Sequence, residues 1–363
     1  MKYIKVMAFI ILALSIMGCS KNASNNIQTA KTHQVIDMAG RMVDIPVEIN
    51  QIYSTGQPGV VMLYTLCPDK LLGWCMELSS DEASYINAKY LSLPILGLMQ
   101  GNNSSANKEE IMERDPDIIL MMTIISEESI SAANEIQETM GIPVIVADFS
   151  LQNICDTYEF LGTILNESER ATELSNYCKE TIESAKQIAS TIKDEDVLKV
   201  YYAQGSTGLQ TAPKGSSHSE VIDLVGGENV VMLNADTDGR LNINMEQLLR
   251  YNPDVIIASY SMGHNDNNGG VFSILTNASY EWQLVKAVKK DMVYATPCLP
   301  YNWLDMPPSV NRIIGIKWLG NLLYPAYYQY DIKQETKKFY SLFYQKELSD
   351  EKINNLLANA LRN

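Results

Sequence analysis

Imidazole side chains are scarce in this sequence, whose 363 residues include only His33, His218 and His264. Neutral imidazole binds transition metals well, so His218 and His264 are candidate metal ligands. Three histidines make a bare-ion site built from several imidazoles hard to assemble, and their scarcity argues against a zinc enzyme. For His218, which begins a predicted helix, capping or exposure to solvent is the alternative role.

Two basic residues lie where they could hold an anionic group. Arg312 precedes an apolar helical run, and a guanidinium at a helix start can bind a carboxylate or an oxyanion through two parallel hydrogen bonds. An ion pair between Arg312 and Asp305 that closes a loop is the alternative. Lys214, in a loop rich in glycine and serine, is a second candidate cation.

Several aromatic side chains lie near or after the ends of predicted strands and could offer flat surfaces to a macrocycle or an aromatic chelate. These residues are Trp74, Tyr202, Tyr260, Tyr301 and Trp303. Each of them could instead pack in the core, and the sequence leaves both roles open.

A serine, a histidine and an aspartate lie near one another in the sequence, at Ser217, His218 and Asp223. Working together, they would make the chain an exported hydrolase. Adjacent Ser217 and His218 need not direct their side chains to one point, and the chain has no Gly-x-Ser-x-Gly nucleophile elbow. Hydrolysis is therefore the less favoured function.

The elements that must position these residues alternate between strands and helices, which favours two α/β lobes. The predicted strands are Gln51–Ser54, Leu71–Trp74, Asp117–Met122, Pro143–Val146, Lys199–Ala203, Asp254–Ser259 and Met292–Ala295. The third and sixth of these are continuous apolar runs, which are typical of parallel sheets covered on both faces. Helical patterns between the strands include Glu127–Met140 and Tyr280–Lys289.

One segment of the sequence occurs twice, as residues 107–119 and as residues 244–256. The Asn, the first Glu, the Pro, the Asp and the final Ile coincide without a gap. Each copy predicts a short helix capped by Asn107 or Asn244, then a turn at Pro-Asp and a buried strand. The repeat therefore indicates two related lobes.

Between the two copies lies a long helical stretch. Leu151–Leu165 is one predicted helix, Asn166 to Glu169 has the pattern of a capping box, and apolar residues from Ala171 to Ile192 keep helical spacing. About 25 residues of helix reach roughly 37 Å, which would cross from one lobe to the other and permit only modest motion between them. An ordinary packing helix within one domain is the alternative. The expected domains are an N-terminal lobe at 33–150, linking helices at 151–193 and a C-terminal lobe with terminal helices at 194–363.

The first residues have the pattern of a processed export signal. Residues 1–19 combine two early lysines with an apolar run shorter than the roughly 20 residues that span a bilayer. The run ends at Gly18 and Cys19, which resembles a bacterial lipobox and predicts that Cys19 is acylated. A flexible polar tether over residues 20–32 would follow, and the lipid would hold the protein at a membrane surface. An ordinary signal peptide is the alternative.

Composition excludes some classes of partner. The net charge of −15 would repel phosphate backbones, so we expect no nucleic-acid partner. Apart from Cys19, five cysteines remain without a Cys-x-x-Cys pair. An odd number cannot all pair internally, and we expect buried small side chains.

Together these features resemble the solute-binding proteins that serve importers of cobalamin, haem and ferric siderophores, the class III periplasmic binding proteins. The resemblance rests on a hairpin at 40–46, both copies of the repeat, and a helix that ends in Gly-Gly-Glu-Asn at 218–229. It covers about residues 33–345. It implies two Rossmann-like α/β lobes joined by a long spanning helix, with the ligand in the cleft between them.

In the cobalamin-binding member of that family, one glutamate on each lobe forms a salt bridge to arginines of the membrane permease. The matching residues here are Glu109 and Glu246, with the neighbouring Glu110 as a competitor. Two equivalent acids on two related lobes suit two identical permease subunits. Solvated acids favoured by the helix dipole are the alternative.

Within such a cleft, ligand contacts are expected on the loops that follow the strand ends, as in other open α/β sheets. The candidate ligand-binding residues are Gln57, Trp74, Gln100, Met122, Tyr202, Gln204, Lys214, His218, Tyr260, Tyr301, Trp303 and Arg312. His218 and His264 become candidate ligands of haem iron or cobalt.

The favoured function is an exported, lipid-anchored protein that captures a metal chelate and delivers it to an ABC permease dimer with its ATPase. The chelate would be a ferric siderophore, haem or a corrinoid, and an oxyanion such as molybdate or tungstate is the alternative ligand. A hydrolase, or a surface lipoprotein that binds only protein partners, would be a function of another class. We expect no catalysis, no cofactor beyond the metal-containing ligand, and a location on the outer face of the bacterial cytoplasmic membrane.

Overall fold

The computed structural model describes residues 32–99, 104–232, 239–259, 270–276 and 280–362. The predicted signal and nearly all of the predicted tether lie outside these ranges. Among the candidate functional residues, those that also fall outside the described ranges are Cys19, Gln100, Tyr260 and His264. Their assigned roles stay predictions.

The first part of the described chain forms a hairpin and a sheet of three strands with helices around it. In chain order the elements are β1 (Thr32–Ile36), β2 (Met42–Pro46), β3 (Ile52–Ser54), α1 (Gln57–Leu66), α2 (Ser80–Ala83), α3 (Lys108–Glu113), β4 (Ile118–Thr123), α4 (Glu127–Met140) and β5 (Val144–Asp148). β1 and β2 pair antiparallel, which confirms the predicted opening hairpin. Gly40 in their turn has φ +77°, which glycine adopts without strain.

Two helices lead from this part to the rest of the chain, α5 (Ile154–Ile164) and α6 (Ser168–Ala189). The elements that follow are β6 (Lys199–Ala203), β7 (Gln210–Thr211), α7 (Glu220–Leu224), β8 (Glu228–Asn229), β9 (Leu241–Asn242), α8 (Met245–Tyr251), β10 (Val255–Ala258), α9 (Gly270–Thr276), α10 (Lys286–Lys289), β11 (Val293–Ala295), α11 (Asn311–Leu323), α12 (Ile332–Tyr344) and α13 (Asp350–Leu356).

Two parallel sheets repeat one strand order. The first sheet has the order β3-β4-β5, and Leu71 forms an isolated parallel bridge to Ile52 on the open edge of β3. The second sheet has the order β8-β6-β10-β11. The predicted α/β class with two related parallel sheets is confirmed. The predicted strand Leu71–Trp74 is wrong in extent, because only isolated bridges form at its two ends.

The repeated Pro-Asp turn joins equivalent strands in both sheets. The Asp117 carboxylate accepts hydrogen bonds from the amides of Asn50 (2.7 Å) and Gln51 (2.9 Å), just before β3. The Asp254 carboxylate accepts one from the Lys199 amide (3.0 Å), which begins β6. Because each aspartate directly precedes its own strand, its side chain fixes the register of that strand against its neighbour. The sequence repeat is therefore a repeat of structure.

Asp254 should make stability depend on pH in the acid range. Burial raises its pKa, but hydrogen bonds from Lys286 and the Lys199 amide outweigh burial, so the pKa lies below its ordinary value. A carboxyl with a lowered pKa stabilises the fold above its unfolded pKa of about 3.9, and this contribution is lost as the pH falls through the folded pKa.

Asp254→Asn should therefore lower the free energy of unfolding at pH 7 by only about 1 kcal/mol, because solvent partly screens the pair. Below a pH of about 3 the difference from the wild type should shrink. Urea unfolding at both pH values measures this. Asp44→Asn, at an exposed position of β2, is the matched control. A difference that persists unchanged in acid would contradict the linkage.

The predicted helix caps are confirmed in both copies of the repeat, but the cap predicted for the long linking helix is not. Asn107 caps α3 through two helix amides, and Asn244 forms a reciprocal capping box with Gln247. The predicted capping box at Asn166 is wrong, because Asn166 has φ +61° and Glu167 precedes α6 without a side-chain cap. A left-handed residue directly after a helix ends that helix, so Asn166 terminates α5 rather than starting α6.

The helix α6 is the long linking element. Its 22 residues reach about 33 Å at the α-helical rise, somewhat less than the predicted length. It contacts α1, which covers the first sheet, and also α7 and α11, which lie beside the second. α6 therefore packs against elements of both halves, as the fold class implies.

The predicted helix over Tyr280–Lys289 is wrong, because extended Val285 separates a single turn at Trp282–Leu284 from α10. The break buries both Trp282 and Val285. It also places the Lys286 ammonium 2.5 Å from the Asp254 carboxylate. Tertiary burial and this ion pair therefore override the local helical pattern.

Both sheets are covered on both faces, as continuous apolar strands predict. On β4, Ile118 and Leu120 join an inner core, whereas Ile119 and Met121 join a separate outer cluster. β10 alternates between inner and outer clusters in the same way. The inner core extends from one sheet to the other through α5, α6, α11 and α12. The lobe boundaries at residues 150 and 193 stay predictions.

Candidate functional site

The carboxyl ends of the second sheet bring together polar residues from distant parts of the chain. Gln204 directly follows β6, Ser259 directly follows β10, and Asp305 lies in the loop between β11 and α11. In an open parallel sheet, ligands bind outside the carboxyl ends of the strands. This edge is therefore the place to look for a site.

Asp305 is the centre of this cluster and is 0% exposed. One carboxylate oxygen accepts hydrogen bonds from the side-chain amide of Gln204 (3.0 Å) and from the Arg240 guanidinium (3.2 Å). The other oxygen is bonded to Nδ1 of His218. The Asn302 side-chain oxygen accepts the Leu304 and Asp305 amides, which fixes the loop that carries the carboxylate.

The basic groups of the cluster are partly exposed to solvent, whereas its carboxylate is not. The side chains of His218 and Arg240 are 23% and 31% exposed, whereas that of Asp305 is fully enclosed. The carboxylate is an acceptor only, so the geometry assigns the proton on Nδ1 to the imidazole as donor. Within the described ranges, Nε2 of His218 makes no hydrogen bond. The site can therefore offer one imidazole nitrogen and one guanidinium to a ligand.

Four neutral polar side chains, on Tyr202, Ser259, Gln204 and Asn302, belong to the same cluster. Tyr202 donates a hydrogen bond from its hydroxyl to Oγ of Ser259 (3.2 Å). Burial raises the pKa of Tyr202, and the charge of Asp305 raises it further, so the phenol stays protonated. Oε1 of Gln204 and Nδ2 of Asn302 are buried and lack hydrogen-bond partners in the described part of the chain. Such groups are normally satisfied by a ligand or by water.

Arg312, which was a candidate for binding an anionic ligand, bonds to protein groups instead. Its guanidinium is fully buried and bonds to the Glu220 carboxylate (2.8 Å), the Ser309 carbonyl (3.1 Å) and the Phe149 carbonyl. The alternative pair with Asp305 is not found either. A guanidinium enclosed by protein acceptors cannot also bind a ligand, so the anion role of Arg312 is wrong in this structure.

The bonds of Arg312 instead join the two sheets. Phe149 follows β5 in the first sheet, and Glu220 begins α7 in the second half. The Glu220 carboxylate also accepts the Leu151 amide (3.1 Å). The guanidinium further approaches the carbonyl oxygen of Ser217 (3.5 Å), next to His218. We name Arg312, Glu220 and the Phe149–Leu151 segment the inter-sheet clamp.

The predicted aromatic surfaces are core side chains. Trp74, Tyr202, Tyr301 and Trp303 are all buried. The Trp74 indole donates to the Tyr90 carbonyl (2.9 Å), and the Trp303 indole donates to the Tyr340 hydroxyl (3.2 Å). Met122 also belongs to the inner core. In this structure these faces are covered by protein, which is the packing alternative left open by the sequence.

The remaining candidates are dispersed. Gln57 is half-buried at the first residue of α1. Lys214 is exposed, with its ammonium 4.0 Å from Asp223. Burial raises the pKa of Asp223, and the charge of Lys214 partly offsets that increase. Because the His218 ring bonds to Asp305 rather than to Asp223, the three residues suggested for a hydrolase do not form a triad.

The two candidate docking acids occupy equivalent positions. Glu109 lies in the first turn of α3, Glu246 lies in the first turn of α8, and both are exposed. Glu110 is held by Arg114 at 3.0 Å, whereas no ion pair of Glu109 is found within the described ranges. Glu246 pairs with exposed Arg250 one turn later, at 2.6 Å.

Sequence reasoning missed Arg240 and the central role of Asp305. The two residues are 65 positions apart in the chain. Their neighbours in the sequence carry no recognisable pattern, so only the tertiary fold brings them together. The one available signal is Asp305 itself, which the sequence offers only as an alternative partner of Arg312.

In the described parts of the chain, no helix combines the length and the apolar character needed to cross a bilayer. In the same residues, no group of three or more His, Cys, Asp or Glu side chains is arranged to hold a metal ion.

One curated protein matches over a limited region. It is trehalose-phosphate phosphatase from Mycobacterium leprae (strain TN), 23% identical over 193 residues, which are 48% of this chain and 44% of that protein. The chain therefore spans less than half the length of this relative, and the match carries no argument about activity.

The sequence profile described as "Periplasmic binding protein" matches residues 97–298. An ABC transporter solute-binding protein from Sulfurospirillum deleyianum is 29% identical, with 90% of this chain and 99% of that chain covered and a TM-score of 0.80. A periplasmic solute-binding protein from Veillonella parvula is 26% identical, with 91% and 98% covered and a TM-score of 0.71. The Haemophilus influenzae molybdate-binding protein MolA shares the fold at 18% identity, with 87% and 99% covered and a TM-score of 0.70. This chain belongs to the periplasmic binding protein family, and it is an extracytoplasmic solute-binding component of an ABC transporter with the class III fold.

Proposed function

We propose that this protein captures an anionic metal chelate at the carboxyl edge of its second sheet. The chelate would be a ferric siderophore, haem or a corrinoid with a coordination position that exchanges. The observation that carries the proposal is the enclosed carboxylate of Asp305, which holds both His218 and Arg240 at a partly exposed surface.

The imidazole arrangement supports a metal-containing ligand. Histidines that bind metals usually donate the other ring N–H to a carboxylate, which orients the ring and makes the free nitrogen more basic. Here Asp305 accepts from Nδ1 of His218. Nε2 is the nitrogen left to complete the coordination of iron or cobalt in a chelate.

The guanidinium supports a negatively charged ligand. Arg240 is anchored through one nitrogen to Asp305, and the group has further N–H donors that can bind a carboxylate or an oxygen donor of the chelate. The chain as a whole carries a net charge of −15, which repels anions at long range. A local pair of donors must therefore supply the attraction at the site.

A tetrahedral oxyanion is the second candidate, because the N–H donors of Arg240 and His218 also match the oxygens of molybdate or tungstate. A direct comparison separates the two ligand classes. Purified protein is titrated by native mass spectrometry and calorimetry with a ferric hydroxamate, a ferric catecholate, haem, cobalamin, molybdate and tungstate.

Binding of a chelate that is lost in His218→Ala but kept in His33→Ala would support the proposal. His33 is a matched control because it lies on the opening hairpin, away from the cluster. Binding of molybdate or tungstate, with no binding of any chelate, would contradict the proposal and favour an oxyanion as the ligand. Turnover of ester or peptide substrates by the wild type would favour a hydrolase instead.

We also propose that Glu109 and Glu246 dock the protein onto its permease dimer. Their equivalent positions support this, because the two acids come from one repeated structural unit. Two related lobes that share this unit can thereby meet two identical subunits. Exposed acids would steer the encounter and fix its register.

Glu109→Ala combined with Glu246→Ala should abolish uptake and leave ligand affinity unchanged. The acids lie on exposed helix starts, so their loss should affect docking without disturbing the ligand cluster. Uptake of labelled ligand by cells and calorimetry on the purified protein measure the two effects. Glu127→Ala with Glu138→Ala, on α4, is the matched double control. Normal uptake by the docking variant would remove this assignment.

The lipid anchor is a proposal that rests on the Gly18-Cys19 motif. Cys19→Ala should release the protein from membranes, because an alanine side chain offers no thiol for acylation. Fractionation of cells measures this release, and intact mass measures the lipid. Cys155→Ala is the control for an unrelated cysteine. Unchanged membrane association of the Cys19 variant would contradict the anchor.

A further inference from the structure

The two docking helices share a second exposed feature besides their acids. Met112 on α3 is 42% exposed, and Leu249 on α8 is 36% exposed. These residues occupy the same position in the two copies of the repeat, three residues after Glu109 and Glu246 respectively. Each helix therefore presents one acid and one large apolar side chain.

The geometry of a helix places the two groups beside each other. Residues three apart lie on neighbouring positions of a helical surface. The residue just before each apolar side chain, Ile111 or Leu248, is fully buried and anchors its helix to the core. The buried residue fixes the rotation of each helix about its own axis. This rotation leaves Met112 and Leu249 partly exposed to solvent.

A single exposed apolar side chain is normal on a protein surface and needs no explanation. The informative observation is the match between the two copies. Most residues of the segment differ between the copies, yet both keep a large apolar residue exposed at this position. Neither side chain contributes to the buried clusters of the fold.

We propose that each half of the protein docks through an acid–apolar pair, Glu109 with Met112 and Glu246 with Leu249. The partner is the two-fold symmetric permease dimer, and the two pairs require each subunit to offer a cation beside an apolar recess. This inference rests on the proposed docking role of the two acids, and it adds the contact that holds the complex after encounter.

The two members of each pair have different tasks. Charges act over long distances and set the rate of association, which falls as salt increases. A side chain buried in a recess of the partner acts only at contact and mainly slows dissociation. Loss of the apolar members should therefore accelerate dissociation at every salt concentration, whereas loss of the acids should remove the salt dependence of association.

The test uses Met112→Ser combined with Leu249→Ser, in the full-length protein without ligand. The cognate permease–ATPase complex is placed in lipid nanodiscs, and binding kinetics are measured at low and high salt. We expect dissociation to be about tenfold faster for the double variant, with little change in association. Met42→Ser is the matched control, because Met42 is 68% exposed on the opening hairpin.

The outcomes distinguish a failure of the acid–apolar pairs from a failure of the proposed acid docking or of the proposed ligand. Wild-type dissociation of the double variant, or an equal effect of Met42→Ser, would overturn the acid–apolar pairs. If Glu109→Ala with Glu246→Ala weakens binding but the apolar variant does not, acid docking stands and only this inference fails. Because the measurement needs no ligand, a wrong ligand assignment does not affect it. Thermal unfolding of each variant confirms that the exposed substitutions leave the fold intact.

Discussion

Asp305→Asn should weaken ligand binding by roughly a hundredfold, or about 3 kcal/mol, the largest loss expected from one change in the site. The carboxylate is fully buried and is the shared acceptor of His218, Arg240 and Gln204. An asparagine keeps only one acceptor oxygen and places an NH2 group against donors. One basic side chain would lose its partner, and neither would keep its orientation toward the ligand.

Calorimetry with the ligand found by the titration measures the loss of affinity. The control is Asp350→Asn, which removes a carboxylate that pairs with Lys337 at an exposed position. Thermal unfolding of both variants distinguishes loss of the site from loss of the fold. A wild-type affinity in folded Asp305→Asn protein would show that the cluster does not orient ligand-binding groups, and the proposed site would fail.

Arg312→Ala should lower the free energy of unfolding by about 3–5 kcal/mol, because removing one partner of a buried ion pair leaves its other groups unsatisfied. That loss corresponds to a decrease in Tm of roughly 5–15 °C for a chain of this size. The change would leave the Glu220 carboxylate without its guanidinium and the Phe149 carbonyl without a donor.

The inter-sheet clamp can be separated from a general loss of positive charge by two further variants. Arg250→Ala removes a highly exposed partner of Glu246 and should change stability by less than about 1 kcal/mol. Arg312→Lys should recover only part of the loss, because one ammonium cannot reproduce the planar fork that reaches several acceptors. Calorimetric unfolding measures all three. A wild-type Tm for Arg312→Ala would contradict the clamp.

The fold could be anticipated in detail because its signals are local. The continuous apolar strands, the Pro-Asp turns and the asparagine caps each depend on a few neighbouring residues. Asn107 and Asn244 cap their helices as predicted, and the strand Lys199–Ala203 has its predicted bounds. Where a local pattern failed, as at Asn166, the neighbouring helix competed for the same residue.

The candidate site could be anticipated only in part. The rule that ligands meet the ends of parallel strands led to Gln204 and His218, which the structure brings together at Asp305. The same rule led to Trp303, and a position at a helix start led to Arg312, but both side chains are fully buried. Residue type and a position after a strand do not distinguish a side chain that faces a cleft from one that packs in the core.

The sequence by itself determined the family, the two repeated α/β units and the equivalent placement of Glu109 and Glu246. These follow from residues that are close in the chain, so their spacing contains the information. Only the tertiary structure decided that Asp305 holds His218 and Arg240 while Arg312 joins the sheets. The physical reason is that an arginine and a carboxylate attract each other at any chain separation. The fold selects which of several allowed pairs forms, because burial makes an unpaired charge costly.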